Sequence, residues 1–266
     1  MISVIVPCYN YGRFLGDAVH SLIGGPTSLG DWPGQAGIDE LEIVIVDDAS
    51  TDGTERIASK LAGDDLRFQV LGHLDNRGTA ATYNTGIAAS KGEFVTVLSA
   101  DDMREPWALA ALLGACQSAP GAVAYDDLCD FADGQRLQVR RLPGYSREGE
   151  VRRNILHAGI MMPRAAWAEV GGYPEVMADA REEWAMGIAL ALTGRPIVHV
   201  PRPGYLYRQE GQNRSLKNSD RESVAAFLCQ LVKLYPDAFR DLGPRVRRGQ
   251  TSRPDPFWEV VQKCLT

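Results

Sequence analysis

Four short, mostly apolar runs alternate with helix-patterned segments over the first hundred residues, and this alternation constrains the fold more than any other feature. The runs are ISVIVP (2–7), LEIVIVDD (41–48), FQVLG (68–72) and EFVTVLS (93–99). Between them, residues 13–23 place Phe14, Leu15, Ala18, Val19, Leu22 and Ile23 at helical spacing, and TAATYNTGIAAS (79–90) reads as another helix. Asp52, with Glu55 three residues on, reads as a capping box opening the intervening helix. Pro106 stands at a first helical position before ALAALLGAC. Strands that are apolar along their length are buried on both faces. The pattern therefore predicts an α/β fold with a mostly parallel central sheet flanked by helices.

The second half breaks the alternation. Residues 136–153 hold Arg136, Arg140, Arg141, Arg147, Arg152 and Arg153 on irregular or hairpin backbone. A helix over about 181–193, a strand at PIVHVP (196–201) and a longer helix near 220–235 complete the body, while the Gly- and Pro-rich segment 24–40 reads as an exposed loop. The chain has 266 residues and a formal net charge of −6, which suits one large domain, or one domain with an appendage, and argues against a nucleic-acid partner. MISVIVPCYN lacks the features of a signal peptide, and no uncharged apolar run approaches the length of a transmembrane segment. Five scattered cysteines (Cys8, Cys116, Cys129, Cys229 and Cys264) read as reduced thiols of a cytoplasmic protein. Arginines beyond Pro236 offer a basic tail, either a solvated face or a peripheral contact with the inner face of an anionic membrane.

In parallel sheets, ligands gather at the carboxyl ends of the strands. Pro7-Cys8-Tyr9-Asn10, Asp47-Asp48 and Asp101-Asp102 all follow strand ends, so three separate segments are expected on one rim. An Asp-Asp pair alone can cap a helix, sit in a nest of backbone N–H groups or face water. Two pairs on one rim favour a hard divalent cation, Mg²⁺ or Mn²⁺, which takes one or two carboxylates and completes its shell with phosphate and water. The GxGxxG and GxxxxGK[ST] motifs of other nucleotide folds are absent.

SVIVPCYN, EIVIVDDASTDGT, DNRG, YNTGIAASKGEFVTVLSADD and EVGGYPE, in that order over roughly residues 2–210, resemble the family 2 glycosyltransferases of the GT-A fold. The resemblance implies a nucleotide-sugar-binding half (1–103), an acceptor-binding and catalytic half (104–215) and a C-terminal helical appendage with a basic tail (216–266). It assigns Pro7, Tyr9, Asn10 and Asp48 to the nucleobase side, with Asp47 orienting the loop and Asn84 lining the sugar–diphosphate side. Relatives often carry a basic residue before that Asn where this chain has Tyr83, and Arg77 is the substitute phosphate contact. Asp101 would touch ribose or sugar, and Asp102 would ligate the metal.

Ser99 departs from the family's D-x-D-D pattern. Glu183 stands where relatives place their catalytic Asp, with Asp179 and Glu182 as understudies; the two glutamates also suit a helix N-terminus electrostatically. Glu210 replaces a His of the family pattern. His157 falls where relatives form the acceptor pocket, and Trp184 is a candidate floor for it. The implied activity is inverting transfer from a nucleotide diphosphate sugar, UDP ahead of dTDP or GDP, to a hydroxyl of a glycan, a lipid-linked saccharide or a small molecule. The departures at Ser99, Tyr83, Glu183 and Glu210 raise an alternative, a nucleotide-sugar-binding module with impaired catalysis.

Overall fold

The computed structural model describes residues 1–177, 181–209, 221–241 and 256–265. Strand β1 (Ile2–Cys8) leads through α1 (Gly12–Ile23) into a hairpin, β2 (Gly25–Thr27) and β3 (Gly30–Trp32). Then follow β4 (Leu41–Asp47), α2 (Thr54–Ala62), β5 (Phe68–Gly72), α3 (Thr79–Ala89) and β6 (Phe94–Val97). The next segment holds β7 (Met103–Arg104), α4 (Ala108–Gln117), β8 (Val123–Ala132), β9 (Gln135–Arg140) and α5 (Arg147–Arg152). After it come β10 (Met161–Pro163), α6 (Arg164–Glu169), α7 (Glu182–Leu192) and β11 (Ile197–Arg208). Helices α8 (Arg221–Leu234), α9 (Pro236–Asp241) and α10 (Pro256–Leu265) complete the described chain.

The main sheet runs β5-β4-β1-β6-β10-β8-β11-β7, with β9 on the flank of β8. Its first four strands are parallel, as the alternation requires. Past β6 the sheet becomes mixed: β10 is antiparallel to β6 and β8, β11 is parallel to β8, and β7 is antiparallel to β11. Period-two alternation sorts the strand residues into two cores. Val4, Val6, Ile43 and Ile45 pack with Leu15 and Val19 of α1 and Ala58 of α2. Ile5, Val44, Val46, Val95 and Val97 pack with Ala80 and Ile87 of α3. Each fully buried Val or Ile contributes roughly 1.5–3 kcal/mol, so the parallel half is held largely by these two faces.

Three local expectations are corrected. The 24–40 segment is not an open loop. Its hairpin is pinned where Trp32 Nε1 donates to the Arg104 carbonyl at 3.1 Å, and Gln35 Nε2 donates to the carbonyls of Ser21 and Glu105 at 2.9 and 3.0 Å. The cap of α2 is Gly53, at φ 84°, rather than Asp52. The Asp52 carboxylate instead accepts from Thr54 N at 3.0 Å and from Gly12 N at 3.1 Å, joining the starts of α1 and α2. The cysteines are not all reduced thiols: Cys229 and Cys264 form a disulfide across 35 residues of sequence, with Cα atoms 5.3 Å apart. Packing of α8 against α10 brings them together, a long-range fact with no spacing signal. Cys8, Cys116 and Cys129 are free and buried.

The C-terminal helices build a third core against the back of α7, where Trp184 and Ile188 meet Phe227, Leu231, Phe239 and Val261. Helix α5 braces α7 from another direction. Trp184 Nε1 donates to the Glu150 carbonyl at 2.6 Å, and Glu150 Oε2 accepts from the backbone N–H groups of Ile155 and Leu156 at 3.2 and 3.3 Å. Burial pushes the Glu150 carboxyl up to about 8, against an ordinary value of 4.5. No helix among the described residues is long and apolar enough to cross a membrane. Arg245, Arg247, Arg248 and Arg253 of the basic tail lie outside the described residues.

Two stability measurements follow from these contacts. Asp52→Ala removes an acceptor shared by two helix starts and is expected to lower the unfolding free energy by about 1–2 kcal/mol, with Asp52→Asn costing less. An unchanged denaturation midpoint in Asp52→Ala would contradict the joint role. A carboxyl whose folded pKa is raised stabilises fully below its unfolded pKa and loses that contribution as pH rises through the folded one. Glu150 should therefore cost the wild type stability between pH 4.5 and about pH 8, and Glu150→Gln should flatten that slope. Parallel melting curves of the two proteins at pH 5 and pH 8.5 would refute it.

Candidate functional site

The carboxyl ends of β1, β4 and β6 open on a cavity of about 790 Å³, the size of a small-molecule site. Pro7 and Tyr9 line it from the end of β1, Asp48 from the end of β4, and Asp101 and Asp102 from the segment after β6. The second half of the chain contributes His157 and the first turn of α7, Glu182 and Glu183. The three strand-end segments thus meet on one rim.

Asp48 is only 3% exposed, yet its carboxylate is well supplied with donors. Oδ1 accepts from Arg77 N at 2.8 Å and lies 2.6 Å from His73 Nδ1, while Oδ2 accepts from Gly78 N at 2.8 Å. Its backbone N–H donates to Cys8 O at 2.9 Å, tying the ends of β4 and β1 together. Three of about four acceptor positions are filled, which leaves one on Oδ2 for a ligand N–H. Neighbouring Asp47 accepts from Ser50 N at 3.1 Å and shapes the loop.

Some candidates sit near the rim without lining the cavity. Asn10 accepts from Thr51 N at 2.8 Å and stitches two loops together. The Arg77 guanidinium lies 3.6 Å from Glu175. Asn84 spends its carbonyl on Tyr173 N and Trp167 Nε1 and its amide on Tyr173 O and Glu175, so it clamps α3 to the GGYP turn. Tyr83 beside it does line the cavity, its ring edge-on to Tyr173 at 4.9 Å. Among the described residues four non-glycines hold positive φ, and three of them (Asn10, Ala49 and Arg181) adjoin cavity-lining residues. Backbone strain of this kind collects at functional sites.

Asp102 is 2% exposed. Its Oδ2 accepts from the Tyr205 hydroxyl at 2.7 Å and its Oδ1 from Arg208 N at 2.8 Å. Burial, with the charge of Asp101 beside it, holds the Asp102 carboxyl well above the usual carboxylate range. The Arg208 side chain does not reach into the cavity. Its Nε donates to Asp101 O at 2.6 Å, Nη2 meets Asp17 at 2.5 Å, and the guanidinium lies between the rings of Phe14 and Phe131. Among the described residues no three His, Cys, Asp or Glu side chains gather as a closed metal cage. Two adjacent carboxylates lining one cavity suit a hard divalent cation that draws its other ligands from phosphate and water.

Helix α7 starts immediately after Arg181, whose φ of 98° and ψ of 19° turn the chain so that Glu182 and Glu183 enter the cavity together. The helix N-terminus favours their negative charge. His157 Nδ1 accepts from Gly159 N at 3.1 Å, so Nε2 carries the proton, 3.0 Å from Asp126 O. Trp184, expected as a floor for the acceptor, lies instead in the third core and does not line the cavity. Asp179, Glu210 and Arg214 fall outside the described residues. Sequence reasoning missed the cavity roles of Arg140, Asn154, Tyr205 and Tyr207. The two tyrosines carried a signal, since their i, i+2 spacing puts both on one face of β11.

A family model described as Glycosyl transferase family 2 matches residues 3–163. The chondroitin synthase of Pasteurella multocida (strain Pm70) is 26% identical over 236 residues, 86% of this chain, and the chain spans 22% of that protein's length. Among solved structures, S. aureus TarS 1–349 in complex with UDP-GlcNAc superposes with a TM-score of 0.69 at 21% identity, covering 90% of this chain and 66% of that one. The mannosyltransferase PcManGT from Pyrobaculum calidifontis, in complex with GDP-Man and Mn2+, gives a TM-score of 0.64 at 20% identity, covering 99% and 68%. The architecture is that of the GT-A transferases, and the chain belongs to glycosyl transferase family 2.

Proposed function

We propose that this chain moves one sugar from a nucleotide diphosphate donor, UDP first, to an acceptor hydroxyl with inversion at the anomeric carbon. One observation carries the reading: Asp48, the Asp101–Asp102 pair and Glu183 come from distant segments and line a single cavity. The UDP-GlcNAc named with TarS and the GDP-Man and Mn2+ named with PcManGT support it by analogy of fold. Tyr9, 46% exposed, offers a ring face for the base, and the remaining acceptor position of Asp48 suits the N3–H of uracil. A Mg²⁺ or Mn²⁺ ion held by Asp102, with Asp101 beside it, would supply the positive charge that a departing diphosphate requires.

In the displacement, the acceptor oxygen bonds to the anomeric carbon as the bond to the diphosphate oxygen breaks, the electron pair leaving with the diphosphate. The acceptor proton passes to the Glu183 carboxylate, which then recovers its charge by releasing it to solvent. The acceptor, a glycan, a lipid-linked saccharide or a small molecule, would enter beside His157 and Tyr207.

Calorimetry of UDP with and without Mn²⁺, followed by donor turnover, tests the reading. UDP should bind more tightly with Mn²⁺, and Asp102→Asn should remove that gain. Glu183→Gln should reduce turnover by about 100-fold or more while UDP binding holds. Equal binding with and without metal, or near-wild-type turnover in Glu183→Gln, would overturn it. UDP binding without turnover across acceptors would favour the binding-module alternative.

A further inference from the structure

One buried cluster behind the cavity has no part in the chemistry above. Arg104 is 0% exposed, and it is among the largest side chains that the fold buries completely. Its Nη1 donates to both carboxylate oxygens of Asp126, at 3.1 and 2.9 Å. Its Nη2 donates to the Gly159 carbonyl and to Thr96 Oγ1, the latter at 3.3 Å. Asp126 is also 0% exposed and takes a further contact from His157 Nε2 at 3.2 Å. Taking both ions out of water costs several kcal/mol each, and an apolar pair of similar volume often serves stability as well or better. Stability alone is a poor reason to keep the pair.

What the cluster touches suggests another reason. The Tyr205 ring lies on the Arg104 guanidinium, 4.7 Å from its central carbon, and meets the His157 imidazole at 65° and 5.1 Å. The hydroxyl at the far end of that ring is the group that donates to Asp102. Two glycines leave room for this arrangement. A Cβ at Gly159 would strike Arg104 and the Tyr205 ring, and one at Gly204 would strike the Asp126 carboxylate.

We propose that the buried Arg104–Asp126 pair is a positioning unit that acts through Tyr205 to hold Asp102 in the orientation in which it meets a divalent cation. The inference rests on the reading of Asp102 as the cation ligand. The ion pair fixes the guanidinium, the guanidinium fixes the ring by cation–π contact, and the ring fixes the hydroxyl. With the Tyr205 hydroxyl on one oxygen and Arg208 N on the other, the carboxylate cannot rotate, and its remaining lone pairs keep one arrangement. Groups that orient a ligand in this way tune metal affinity although they never touch the ion.

The test is calorimetry of UDP over a range of Mn²⁺ concentrations on the full chain, comparing Tyr205→Phe, Arg104→Lys, their double variant and Asp102→Asn. Tyr205→Phe and Arg104→Lys should each raise the Mn²⁺ concentration for half-maximal enhancement by about tenfold or more, a larger change than either makes to metal-free UDP affinity. The double variant should be no worse than the weaker-binding single one, since both act along one line of contacts. Should Arg104→Lys fail to fold, the isosteric Asp126→Asn takes its place, and Tyr205→Phe keeps the ring while removing only the hydroxyl. Wild-type Mn²⁺ dependence in Tyr205→Phe, or losses that multiply in the double variant, would overturn the proposal. If Asp102→Asn itself keeps the Mn²⁺ dependence, the cation reading fails. If Asp102→Asn loses it while Tyr205→Phe does not, only the positioning unit fails.

Discussion

The register of β1 between its two parallel neighbours is the constraint on which the site depends. Cys8 pairs with Asp47 of β4, and Ile5 pairs with Val97 of β6, so all three strands finish at the same edge of the sheet. A slip of one residue would send the buried face of β1 to the wrong core and displace the loops that follow. Burial of Val4 and Val6 against one helical layer and Ile5 against the other therefore fixes the relative positions of Asp48 and Asp102. Hydrophobic packing in the sheet interior places the acidic groups, and Asp48 N bonding to Cys8 O extends that order past the end of the strand.

Within the rim, the two Asp-Asp pairs find different partners. Asp48 is cradled by the backbone N–H groups of Arg77 and Gly78 and by His73, which makes it an anchor for the loop. Asp102 receives one hydroxyl and one backbone N–H, and it has a like charge next to it. Burial and that neighbour disfavour its charged form, which a cation, on the proposed reading, would restore. A nest of backbone N–H groups thus serves the first pair, and under the proposed reading a metal would serve the second.

Much of this was legible in the sequence because it is local. FQVLG occupies β5 over the expected residues, and the edges of α3 and α7 fall within a residue or so of their patterns. Convergence at the strand ends followed from parallel pairing alone. What the sequence concealed depends on contacts between distant segments. Nothing around Trp184 told that its outer face meets α8 rather than the cavity, because a buried helix is apolar on every side. The cysteine pair is a product of helix packing across 35 residues. The hairpin within 24–40 takes its order from Trp32 and Gln35 bonding to carbonyls of residues 21, 104 and 105, which composition cannot reveal. Asp52 looked like a local cap and turned out to bridge two helices.

The most direct measurement of the central claim is a crystal structure of the chain with UDP and Mn²⁺, collected where manganese scatters anomalously. A single strong anomalous peak is expected, bonded to Asp102 and to the diphosphate, with the uracil within hydrogen-bonding distance of Asp48. A manganese peak remote from Asp102, or a nucleotide that engages only one of the two carboxylates' loops, would contradict it.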